Sequence, residues 1–166
     1  MDFFQKYYTL SLKFLTTRPR SEKELRDYLT KKLGNVSEYD ESVSLDELIQ
    51  KIIDQLKKQK FLSDLDFAQW WVRQRTEFKP RGKRMIQFEL KQKGIGQDII
   101  DSVLKETQES LSDLETAKII VRKKIEKVRG LERHEIYKKI GGLLGRRGYS
   151  WTDIKRSIDD VLGEEV

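Results

Sequence analysis

The side chains with most chemistry to offer are two groups of lysines and arginines. The first holds Arg73, Arg75, Lys79, Arg81, Lys83, Arg84, Lys91 and Lys93, and the second Arg122, Lys123, Lys127, Arg129, Arg133, Arg146 and Arg147. Arginine suits planar two-point contacts to carboxylate or phosphate, and lysine acts as a mobile point charge. Residues 73–93 carry net +6 and residues 118–148 net +8, whereas 94–117 carry net −5 and 149–166 net −3. Charge therefore alternates in blocks, and the blocks recur. If equivalent helices line one side of a stacked array, the two basic blocks merge into one positive stripe able to bind an acidic or phosphate-bearing partner.

Catalytic and metal chemistry are poorly served. His134 is the one histidine and there is no cysteine, so thiolate sites and disulfides are excluded, as suits a reducing cytosol. No carboxylates cluster around His134, and no nucleophile–base pair is evident, so no catalytic residue, metal or cofactor is expected. Gly141 to Gly148 lacks the strand and the Gly-Lys-Ser/Thr ending of a phosphate loop. Trp70 and Trp71 invite base stacking, yet Phe67, Ala68, Trp71 and Val72 share a helical face. That assigns Trp71 to the core and Trp70 to packing between units. Trp151 reads as the anchor of the last helix.

The elements that position these residues are repeated. Leu62-Ser63-Asp64-Leu65-Asp66-Phe67-Ala68-Gln69-Trp70-Trp71-Val72-Arg73 returns 49 residues later as Leu111-Ser112-Asp113-Leu114-Glu115-Thr116-Ala117-Lys118-Ile119-Ile120-Val121-Arg122, with seven of twelve positions identical. Arg73 and Arg122 thus recur, as a shared interface residue or a shared salt bridge. Ser112 and Glu115 make a capping-box pattern. Pro19-Arg20-Ser21, followed by Leu25 and Leu29, matches Pro80-Arg81-Gly82, followed by Ile86 and Leu90, at an offset of 61. Ile140, Leu144 and Gly148 lie 54 residues after Ile86, Leu90 and Gly94. Gly94 and Gly148 fall where a left-handed helix cap favours glycine.

Each unit therefore reads as helix, turn, helix, glycine turn, helix. Leu45, Leu48, Ile49, Ile52, Ile53 and Leu56 give one apolar stripe, and Ala117, Ile120, Val121, Ile125 and Val128 another, extended by the stem of Lys124. No period-two alternation or hairpin turn suggests a strand. The expected fold is all-α, an elongated tandem array of three three-helix modules at 3–60, 63–106 and 112–163. Residues 34–44 read as a loop insertion in the first. No stretch reaches the apolar length of a membrane span, and the N-terminus lacks a basic leader.

These residues resemble the RecX regulatory proteins of the RecA recombinase. The matching segments are Arg18-Pro19-Arg20-Ser21 with Leu25, Phe61-Leu62-Ser63-Asp64 with Phe67-Ala68, and Val72-Arg73 with Arg75. They continue with Lys79-Pro80-Arg81-Gly82-Lys83-Arg84, Glu89-Leu90 with Lys93-Gly94-Ile95, and Arg146-Arg147-Gly148-Tyr149-Ser150 with Ile154. The resemblance implies a curved, non-enzymatic array of such modules that lies in the groove of the RecA–DNA filament and damps its ATPase, strand-exchange and co-protease activity; a cytoplasmic monomer is expected. The 34–44 loop and the glycine-rich 141–145 run depart from the family pattern. An alternative reading is a stand-alone DNA- or RNA-binding protein of homeodomain-like repeats. Against it, the helices after Gly94 and Gly148 open in acidic blocks, beginning Gln97-Asp98 and Thr152-Asp153.

Overall fold

The structure, a computed structural model, describes residues 2–34, 44–110 and 112–164. Most of the expected 34–44 loop, and Leu111 of the second repeat copy, lie outside these. Among the described residues the chain is helical, with no strand. The first trio is α1 (Phe3–Thr16), α2 (Glu22–Leu33) and α3 (Leu45–Lys58). The second is α4 (Asp64–Arg73), prolonged by a π turn at Gln74–Phe78, then α5 (Lys83–Gln92) and α6 (Gln97–Ser110). The third is α7 (Asp113–Ile125), a rod made of α8 (Arg133–Ile136), a π turn at Tyr137–Gly141 and α9 (Gly142–Arg146), and finally α10 (Trp151–Glu164). No described helix is long and apolar enough to cross a membrane.

Each trio closes its own core. Tyr7, Leu25, Leu29, Ile49, Ile52, Ile53 and Leu56 fill the first, and Phe67, Ala68, Leu90, Ile100 and Val103 the second. Val121, Ile140, Leu144, Ile154 and Ile158 fill the third. Stripes spaced by three and four bury against each other, and at about 25 cal/mol per Å² of apolar area they supply the main drive to fold. Leu45 is only partly buried, at the start of its stripe, and Lys124 is half-buried.

The helix ends follow from their cap residues. Ser21, Ser63 and Ser112 accept hydrogen bonds from the backbone N–H groups of Glu24, Asp66 and Glu115, at 3.2, 3.2 and 3.3 Å. Among these three serine caps the reciprocal box is complete at Ser21, whose N–H donates to Glu24 Oε2 at 3.3 Å. Gly94 (φ +77°) and Gly148 (φ +87°) are left-handed caps as expected. At the end of α3 a lysine takes that role. Lys60 has φ +60°, and the Phe61 N–H closes the turn onto the Leu56 carbonyl at 2.9 Å. Lys60→Gly removes a Cβ from a conformation that disfavours it, so the unfolding free energy should rise by about 0.5–1 kcal/mol in urea titrations. An unchanged or lower midpoint would show that the side chain offsets the backbone cost.

One expectation about the third trio needs correction. Trp151 is 63% exposed and rests its ring on Tyr137 at 6.3 Å between centroids, so it does not anchor the core. The 141–145 glycines, which depart from the family pattern, do not mark an unusually close helix approach. A Cβ at Gly141 would sit 3.5 Å from Ile154 Cγ2, an ordinary contact, and the run instead accompanies the π turn.

Candidate interaction surface at the module junctions

The N-terminus of the second helix in one trio meets the first helix of the next, and it does so twice. The Glu22 N–H, first in α2, donates to Asp64 Oδ1 at 2.8 Å. The Lys83 N–H, first in α5, donates to both carboxylate oxygens of Asp113, at 3.2 and 3.0 Å. Free N–H groups at a helix start attract a carboxylate, and here the carboxylate comes from the neighbouring trio. This explains the repeated Ser-Asp pair: serine caps its own helix, and aspartate holds the preceding module.

Burial pushes the Asp64 and Asp113 carboxyls up, against the opposing pull of those backbone N–H groups. A folded pKa above the unfolded one means the charge itself is penalised, and stability should rise as pH falls through that range. Asp113→Asn keeps an acceptor without the charge and should leave stability unchanged or slightly higher at neutral pH. Asp113→Ala orphans the Lys83 N–H and should cost about 1–3 kcal/mol in chemical denaturation. Equal losses in both variants would mean that the charge, not the acceptor, makes the contact.

Around the first junction the cations are internally matched. Arg18 makes a two-pronged contact to Glu24, at 3.1 and 2.9 Å, and Lys93 Nζ reaches the same carboxylate from the second trio at 2.7 Å. Burial alone would push the Glu24 carboxyl up, but Arg18 and Lys93 together hold it at about 2. The Arg18 guanidinium also lies 5.6 Å from the Trp70 ring centre, so Trp70 does pack between units. Trp71 is half-buried. Its Nε1 donates to Glu89 at 2.8 Å, and Arg75 stacks on its ring at 4.4 Å while pairing with Glu89 at 2.6 Å.

The second junction is closer at the backbone. The Gly82 N–H donates to the Arg147 carbonyl at 2.8 Å. A Cβ at Gly82 would lie 2.4 Å from the Gly148 carbonyl oxygen, and one at Gly148 would lie 2.5 Å from Met85 Cβ. Beside this contact, Phe78, Lys79, Pro80, Arg81 and Arg147 line a cleft of about 190 Å³ that contains no carboxylate. Phe78 stands 66% exposed at its side. Burial raises the pKa of the nearby Tyr149 phenol; Thr116 draws it back, the Asp113 charge adds to the rise, and the charges of Arg147 and Arg81 oppose it.

The expected basic residues thus divide. Arg75 and Lys93 are tied to Glu89 and Glu24 within the fold. Arg122 pairs with Glu164 at 2.9 Å, Arg129 with Glu126 at 3.1 Å, and Arg133 with Asp159, which Tyr137 also engages. The Arg73–Arg122 equivalence is therefore not a shared bridge between modules: Arg122 pairs inside its own trio, and Arg73 is exposed. Lys83 contributes its backbone N–H to the junction. Arg73, Lys79, Arg84, Lys91, Lys123, Lys127 and Arg146 are exposed, with Arg81 and Arg147 half-buried at the cleft. None of these nine forms an ion pair among the described residues. The two basic blocks meet where Gly82 touches Arg147, and the acidic block 149–166 neutralises part of the second.

The chain matches models of the first, second and third three-helix domains of RecX over residues 8–33, 63–104 and 112–158. It is 40% identical over 122 residues to the regulatory protein RecX of Oceanobacillus iheyensis, 74% of this chain and 41% of that protein. It is 32% identical over 165 residues to that of Bacillus pumilus, 99% of this chain and 59% of that one. The chain thus spans about half the length of these two relatives. With the RecX of Prosthecochloris aestuarii it shares 33% identity over 70% of this chain and 74% of that protein. The crystal structure of RecX from Lactobacillus salivarius superposes with a TM-score of 0.75 over 95% of both chains at 23% identity, which speaks to the fold alone. The repeated junctions, the three separate cores and these matches place the chain in the RecX family.

Proposed function

We propose that this chain lies along a RecA–DNA filament and damps its recombinase, ATPase and co-protease activity, in the setting of recombination and DNA repair. It acts without catalysis or cofactor of its own, as a cytoplasmic monomer, through the modules 3–60, 63–106 and 112–163. One observation carries the reading: two basic blocks far apart in sequence are brought together by the contact of Gly82 with Arg147, across a junction fixed by backbone bonds. An array whose modules are held at set positions can touch two neighbouring filament subunits, which makes the second contact effectively intramolecular. The contact residues are the unpaired cations Arg73, Lys79, Arg81, Arg84, Lys91, Lys123, Lys127, Arg146 and Arg147. Arg75 and Lys93 are engaged by Glu89 and Glu24, and Arg122, Arg129 and Arg133 are paired at the surface of their own module.

DNA-dependent ATP hydrolysis by the cognate recombinase tests this. Equimolar or substoichiometric protein should lower the rate. Arg84→Glu with Lys91→Glu, seven residues apart on one side of α5, should weaken inhibition and flatten its salt dependence without unfolding the chain. No effect on hydrolysis, together with salt-sensitive binding to bare DNA, would favour the stand-alone nucleic-acid reading instead.

A further inference from the structure

The two junctions are built from equivalent positions, but one lacks a part that the other has. The offset of 61 that relates Pro19 to Pro80 places Lys79 where Arg18 stands, and Met85 where Glu24 stands. The offset of 54 that relates Gly94 to Gly148 places Arg147 where Lys93 stands. At the first junction the Glu24 carboxylate sits between Arg18 and Lys93, at 2.9 and 2.7 Å. At the second, both cations are retained and the carboxylate is replaced by a thioether. Arg81 joins Lys79 and Arg147 in lining the cleft, and no acidic side chain does. Asp113 accepts from the Lys83 N–H and, with Arg81, lines a separate small void instead.

We propose that this cleft is a phosphate-binding site, in which an external oxyanion takes the place that Glu24 fills at the first junction. Three cations that line one cleft with no carboxylate in its wall and no ion pair of their own among the described residues repel one another, and an anion among them converts that repulsion into charge-assisted hydrogen bonds. A tetrahedral phosphate group offers acceptors to Lys79, Arg81 and Arg147 in different directions, as a planar carboxylate cannot. Phe78 stands beside them as an exposed flat face on which a nucleobase can stack. Because Lys79 and Arg81 precede α5 while Arg147 follows α9, the bound anion also ties the second module to the third. The phosphate can be free or part of a nucleic-acid backbone, and the site stands whether or not the chain meets a filament.

The test is titration calorimetry on the full chain at constant ionic strength, with inorganic phosphate, a short oligothymidylate and an oligoglutamate peptide, alongside thermal unfolding with each. Phosphate and oligothymidylate should bind saturably and raise the Tm. Oligothymidylate binding much the more tightly would identify a backbone phosphate, and similar affinities would identify the free ion. Arg147→Gln should weaken both by about tenfold, the loss expected for one charged hydrogen bond. Met85→Glu should supply the carboxylate internally, abolish the phosphate response and raise the Tm without ligand. Circular dichroism confirms that each variant folds, and Arg147→Gln alone decides the matter if Met85→Glu does not. No saturable phosphate or oligothymidylate binding, undiminished binding in folded Arg147→Gln, or tighter binding of oligoglutamate than of either would overturn the assignment.

Discussion

Gly148→Ala should destabilise the protein by about 3 kcal/mol or more. Two costs add. The residue adopts φ +87°, which an L side chain disfavours, and the new Cβ would press on Met85, 2.5 Å from its Cβ and 2.7 Å from its backbone nitrogen. The neighbour cannot yield as a flexible side chain would, because the clash involves the first turn of α5. Gly130→Ala is the control. It shares the left-handed backbone, φ +85°, but its Cβ would meet nothing within 4 Å, so it should cost only about 1 kcal/mol. Urea unfolding of the two variants separates backbone strain from junction packing. Equal losses would mean that the second junction gives way cheaply and is not a fixed joint.

The second large effect is electrostatic and sits at the other junction. Glu24 is 14% exposed, shared by Arg18 and Lys93, and held at about 2. A carboxyl whose folded pKa lies below its unfolded value of 4.5 contributes stability that is complete above that value and is lost as pH falls through about 2. The shift corresponds to about 3 kcal/mol at most. Glu24→Gln should forfeit most of that at neutral pH and flatten the acid limb of the stability curve between those two values. It leaves Arg18 and Lys93 facing each other, so limited proteolysis should also find the connection between α3 and α4 more readily. A variant that kept the wild-type acid limb would move the responsible carboxyl elsewhere.

Much of the fold was legible because its determinants are local. The three-four spacing of Leu48, Ile49, Ile52, Ile53 and Leu56, and the glycines after Leu90 and Leu144, dictate helix, turn and cap through neighbours a few residues away. The repeat at an offset of 49 was visible too, as was the recurrence of Pro-Arg. What stayed hidden is why they recur. Asp64 and Asp113 look like ordinary first-turn acids, and their partners, the N–H groups of Glu22 and Lys83, lie 42 and 30 residues upstream. Periodicity within a helix carries no information about such a contact.

The candidate surface was legible in outline for the same reason. Arg75 and Lys93 read as members of an exposed stripe because each neighbours other cations in sequence, yet Glu89 and Glu24 claim them in space. Arg122 and Arg133 are claimed by Glu164 and Asp159, so the second basic block is partly matched by the acidic block that follows it. Ser21 with Glu24 three residues on is a capping-box pattern at the start of a repeated motif, and its copy carries Met85 in the place of the acid. The asymmetry between the two junctions is written in the sequence, but only the folded contacts show its meaning.

The most direct test of filament binding is electron cryomicroscopy of the cognate RecA filament, formed on single-stranded DNA and mixed with this protein. A helical density with the length of the three trios should follow the filament and touch two adjacent RecA subunits, with α5 and the Arg146–Arg147 end of α9 against the filament surface. A bare filament at saturating protein, or density confined to naked DNA, would contradict it.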